Sequence, residues 1–95
     1  MYLAIARYTI AEGNERAVLD LVAELEAASR QEPGCLAFDA HLKAGDDRLL
    51  VLLERYRSEE DFQRHRETEH FARLVLGRIV PLLEDRSVES WNLPD

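Results

Sequence analysis

The stretch SEEDFQRHRETEHF, Ser58 to Phe71, concentrates residue types that could do chemistry: His65, His70, Phe62, Phe71 and a mixture of acidic and basic neighbours. Three uses are open to it: a metal site, a catalytic site or a solvated helix end. A metal needs ligands on one face. His65 and His70 are five positions apart, which on an α-helix is ~500° and leaves them ~140° apart around the axis. The zinc-protease pattern H-E-x-x-H is absent. His65 and Glu69 have the spacing of one helix face, but two ligands are too few for a structural or catalytic zinc. The expectation is therefore no metal. A catalytic use falls to His65, because imidazole exchanges its proton near neutral pH.

The elements that must carry these residues follow from periodicity. Tyr2 to Ile10, YLAIARYTI, reads as a strand, and AEGN then breaks it, with Gly13 for a turn and Asn14 as a helix cap. Val18, Leu21, Val22, Leu25 and Ala28 have the spacing of one buried helix face over residues 15–30. EPG at 32–34 ends that helix. CLAFDAHL follows as a second strand, with Leu36, Phe38, Ala40 and Leu42 expected on one face and Ala37, Asp39 and His41 on the other. KAGDD is a hairpin loop, and RLLVLLERY, Arg48 to Tyr56, a third strand. Leu49 to Leu53 are apolar without a gap, the mark of a strand covered on both faces. Ser58 caps the next helix with Asp61 three residues on, Thr68 and Glu69 restart it, and Pro81 ends it. RSVESWNL, Arg86 to Leu93, is a last strand. The order β-α-β-β-α-β predicts an α+β, ferredoxin-like antiparallel sheet with helices on one side. A chain of 95 residues has no spare element for the other side, so a second copy is its expected cover.

Bulk properties narrow the partners. One domain spanning residues 1–95 is expected at this length. Twelve basic and 19 acidic residues give a net charge of −7, which argues against nucleic acid and against an anionic membrane surface. No apolar run approaches the ~18–20 residues of a membrane span, and the start MYLAIARYTI has no signal-peptide pattern. The single cysteine, Cys35, excludes an internal disulfide, and a free thiol fits a cytoplasmic location. Nucleotide-binding glycine motifs and the G-x-S-x-G elbow are absent.

EPGCLAFDAHL at 32–42, LLERYRSEEDFQRHRETEHF at 52–71 and PLLED at 81–85 resemble the antibiotic biosynthesis monooxygenase family. Its strand two commonly starts E-P-G-C. Its strand three ends on an acidic–x–Trp/Tyr step, here Glu54-Arg55-Tyr56, and its following helix reads H-x-x-T-x-H-F, here His65 to Phe71. The resemblance implies a homodimeric α+β barrel. It also implies oxidation of a small aromatic phenol or quinol by dioxygen with no bound cofactor; other members isomerise a small metabolite or degrade haem. The absence of histidine from RLVLGRIV argues against haem. A cofactor-free oxygenase needs a base, an apolar chamber and donors for the substrate anion. The resemblance casts His65 as base and Tyr56 as catalytic partner, with Phe62, His70 and Phe71 as substrate contacts. Arg7, a cation in an apolar strand, demands an anionic partner, either a carboxylate such as Glu54 or Asp39 or an anionic substrate that it binds. Glu54 is expected to form a salt bridge across the dimer, Cys35 to pack as a small hydrophobe, and Trp91 to lie at the dimer seam.

Overall fold

The computed structural model describes residues 1–94. Strict alternation of buried and outward residues makes Tyr2–Ile10 strand β1, and it is followed by α1 (Glu15–Ser29), β2 (Cys35–Lys43) and β3 (Asp46–Tyr56). Then come α2 (Glu59–Arg66), a π-helix (Phe71–Ile79), a 3-10 turn (Val80–Leu82) and β4 (Leu83–Asn92). The sheet order is β2-β3-β1-β4, antiparallel throughout, which is the split β-α-β arrangement expected from the element order.

Both helical layers lie on one face. Ala6, Tyr8, Ile10, Phe38, Leu50 and Leu52 from the sheet pack against Val18, Leu21, Val22 and Leu25 of α1 and Leu74, Val75 and Ile79 of the π-helix. The register places Leu3, Ile5, Val51, Leu53 and Trp91 on the opposite face, where Leu53 and Trp91 remain 40% and 43% exposed. So the unbroken apolar run of β3 divides: Leu50 and Leu52 are core, while Leu49, Val51 and Leu53 face away from the helices.

Local chemistry departs from expectation in four places. A bulge between Cys35 and Ala37 leaves Leu36 without a cross-strand partner and 52% exposed, so Cys35 rather than Leu36 turns to the core. Asn14 stands at the cap position of α1, yet its side chain donates to the Leu82 carbonyl at 3.3 Å instead of capping. The second helical stretch is a π-helix rather than an α-helix, and Val80 N–H reaches back five residues to the Val75 carbonyl. β4 begins three residues earlier than expected, at Leu83.

Candidate active site

Two ends of the chain segment quoted above are held in place by caps. Ser58 Oγ accepts from Asp61 N–H at 3.2 Å and starts α2. Gly34 lets the Asp61 side chain come this close to the E-P-G turn, since a Cβ on Gly34 would stand 2.2 Å from Asp61 Cγ. At the other end Thr68 stitches the break between the two helices. Its hydroxyl donates to the His65 carbonyl at 2.8 Å and accepts from Phe71 N–H at 3.2 Å. The H-x-x-T-x-H-F spacing is thus a helix stop and a helix start sharing one side chain.

That break overturns the geometric reason for keeping the histidines apart. On a continuous α-helix they would diverge; with the chain turning at residues 67–70 their ring centroids come within 6.2 Å. Both address one oxygen. His65 Nδ1 lies 2.9 Å and His70 Nε2 2.6 Å from Glu32 Oε2. Glu32 is the E of E-P-G-C and is the site residue that sequence reasoning missed; the motif itself was its signal. Burial pushes the Glu32 carboxyl up, but hydrogen bonds and charge from His65 and His70 outweigh it and hold the pKa below the ordinary 4.5. An ionised carboxylate can only accept. Each imidazole therefore donates to it, and His65 carries its proton on Nδ1. The ligand atoms of Glu32, His65 and His70 all lie within 4.8 Å of one another, so these three are the residues that could take a cation. In this arrangement each of the two N–H groups is spent on Glu32.

The remaining nitrogen, His65 Nε2, faces Glu54, with Oε1 3.8 Å away. Glu54 Oε1 accepts from the Tyr56 hydroxyl at 2.6 Å. Burial pushes the Glu54 pKa up, and the Tyr56 hydrogen bond and His65 only partly oppose it. Burial and then the Glu54 charge push Tyr56 far above the ordinary tyrosine value, so Tyr56 serves as a hydroxyl donor. Within the chain Glu54 thus meets a hydroxyl and an imidazole. Phe38, Tyr56 and Phe71 enclose the His65 ring at centroid distances of 5.6, 5.4 and 5.3 Å, and His65 is 2% exposed. Burial, then Glu32 and Glu54, raise the Cys35 thiol to about 11, which fits its reading as a small hydrophobe.

A cavity of about 370 Å³ opens beside this cluster, between the helix-facing side of β4 and the helices. His65, Glu54, Phe62 and Phe71 line it, together with Tyr8, Arg66, Arg86 and Ser90. Of the expected site residues, His65, Phe62 and Phe71 are brought together here. Tyr56 is fully buried behind Glu54, and His70 stands behind Glu32. Arg7 does not line the cavity. It lies on the open sheet face, is exposed, and pairs with Glu89 at 2.7 Å, because β1 alternates and odd positions point away from the helices.

The family model for antibiotic biosynthesis monooxygenase matches residues 1–75. A crystal structure of an antibiotic biosynthesis monooxygenase superposes with a TM-score of 0.93 at 32% identity over 100% of both chains. PA3566 from Pseudomonas aeruginosa gives 0.89 at 32% identity, covering 99% of this chain and 94% of that one. Rv0793 from Mycobacterium tuberculosis gives 0.89 at 27% identity, covering 99% and 95%. No curated protein matches in sequence. The motif residues Glu32, His65 and His70, scattered over 39 positions of sequence, meet at one carboxylate oxygen. Together with the match over most of its length, that places this chain in the antibiotic biosynthesis monooxygenase family.

Proposed function

We propose that the protein is a homodimeric monooxygenase that oxidises a small phenol or quinol with dioxygen, using no metal, flavin or haem. The observation that carries the reading is His65: a buried imidazole with one nitrogen fixed by an ionised carboxylate and the other facing Glu54, beside a cavity that both residues line. That is the arrangement of a general base with an orienting partner. Glu32 sets the tautomer, so that Nε2 offers its lone pair to a phenolic O–H. The resulting phenolate is electron-rich enough to reduce dioxygen itself. From a phenol, one oxygen atom ends as the second carbonyl of a quinone; from a quinol, whose own two oxygens both become carbonyls, it ends as a new ring hydroxyl. The other leaves as water, carrying the two hydrogens the substrate loses, one of them through His65. Phe62 and Phe71 supply the apolar wall that holds the ring. Glu54, whose pKa burial raises, lies beside the His65 nitrogen at the cavity and accepts the Tyr56 hydroxyl. A second copy covering the open sheet face completes the barrel, and a cytoplasmic setting fits the free thiol.

Oxygen uptake with a panel of phenols and quinols, measured against protein-free controls, tests this. His65→Ala should lower the wild-type rates roughly 10²-fold in a folded protein. Metal analysis should find less than one transition metal per chain. The clustered donor set makes that a demanding test. Full activity in His65→Ala would remove the base, and a stoichiometric metal on Glu32, His65 and His70 would replace the cofactor-free mechanism. No protein-dependent oxidation across the panel would favour a small-metabolite isomerase or a binding module.

A further inference from the structure

Eleven arginines occur in the chain. Seven of them (Arg7, Arg16, Arg30, Arg48, Arg57, Arg64 and Arg73) form ion pairs with carboxylates. With 19 acidic residues available, pairing is the rule. Arg66 and Arg86 break it: neither has a carboxylate partner among the described residues, and both line the cavity that holds His65. Arg66, the last residue of α2, lies with its guanidinium carbon 5.8 Å from the centre of the Phe62 ring. Arg86 reaches the cavity from β4, where the register sets it opposite Tyr8, and its charge acts on the Tyr8 hydroxyl and on the Glu54 carboxyl. The Phe62 ring and the Tyr8 hydroxyl cancel no charge. Arg55 and Arg78 also have no ion pair among the described residues, but neither lines this cavity.

Charge makes the cavity unlike the rest of the molecule. Among the described residues its lining contains one carboxyl, Glu54. Two guanidinium groups against one carboxyl give a positive chamber in a chain of net charge −7. A guanidinium presents a planar fork of donors that matches a carboxylate.

We propose that the substrate is an aromatic acid, a phenol or quinol whose ring also carries a carboxylate, with the ring against Phe62 and Phe71 and the carboxylate held by Arg66 and Arg86. This rests on the oxidation reading above and narrows it. The carboxylate anchor would fix which ring position meets His65, so recognition and positioning become one event.

Anaerobic calorimetry with gentisate and hydroquinone tests it, since the two share the dihydroxybenzene ring and differ by one carboxylate. Gentisate should bind wild-type protein roughly tenfold or more tighter, the scale of charge-assisted hydrogen bonds. Arg66→Gln and Arg86→Gln should each erase most of the difference between the two ligands, and Arg86→Lys should restore part of it. Melting temperatures of the variants check that they are folded. Equal binding of both ligands, with oxidation of hydroquinone intact, would overturn the aromatic-acid proposal and leave the oxidation reading standing. Glycerol phosphate binding as tightly as gentisate would overturn the aromatic requirement. No binding of any ligand, with no oxidation, would overturn both.

Discussion

Glu54 is a carboxyl group enclosed by a tyrosine hydroxyl, an imidazole and apolar side chains, and 5% of it is exposed. Its folded pKa is raised above 4.5, by burial first. A carboxyl raised in this way favours folding fully below the ordinary carboxylate range and loses that contribution as pH rises through the folded value. Glu32 has the opposite sign: its lowered pKa contributes stability above the ordinary range, lost as pH falls below it. The two windows are separate, so they can be measured separately. Glu54→Gln keeps an acceptor for Tyr56 and cannot ionise. Its melting temperature relative to wild type should therefore be near zero difference at about pH 5 and should rise towards about pH 8, with a gain on the order of 1 kcal/mol. A difference independent of pH would mean that Glu54 ionises freely in the fold. At this scale the sequence was a partial guide. The histidine and phenylalanines of one helical segment could be read together, but Tyr8 and Arg86 reach the cavity from β1 and β4 through strand register, and Glu32, in the turn before β2, meets the histidines only because of the helix break.

Thr68 joins two elements with one hydroxyl, and its loss should be felt in both. Thr68→Ala removes the donor to the His65 carbonyl and the acceptor for Phe71 N–H. It should cost about 1 kcal/mol, as loss of a helix cap does, and should lower activity further by loosening His65 and His70 from Glu32. Thr68→Ser keeps the hydroxyl and should restore both, read by thermal melts and oxygen uptake; an alanine variant with wild-type stability would show that the break holds without it. The elements themselves were legible because alternation in β1 and the spacing of Val18, Leu21, Val22 and Leu25 have simple periods. The π-helix was not, since over nine residues the apolar positions Phe71, Leu74, Val75 and Ile79 satisfy an α-helical period too. Nor was the bulge at Leu36, which depends on pairing with β3 rather than on β2 alone. The same limit explains Arg7: a cation in an apolar strand demanded an anionic partner, but naming Glu89 needed the β1–β4 register.

The whole molecule has one sheet face under helices and one face without any. Leu3, Ile5, Val51, Leu53 and Trp91 on the second face are the surface that the proposed second copy would bury. Sedimentation at micromolar concentration should give twice 11.0 kDa, and the melting temperature should rise with protein concentration, as association by mass action requires. A monodisperse monomer would remove the dimer. The Arg7–Glu89 pair lies within this face and adds a consequence for ionic strength. Both charges belong to the same chain, so the pair reaches a contact already neutralised and asks no counter-charge of the other copy. What two copies do feel at a distance is repulsion between net charges of −7, and salt screens that. Raising salt should therefore tighten the dimer, opposite to a contact held by intermolecular ion pairs. Glu89→Gln would strand Arg7 without its partner, and the variant dimer should be weaker.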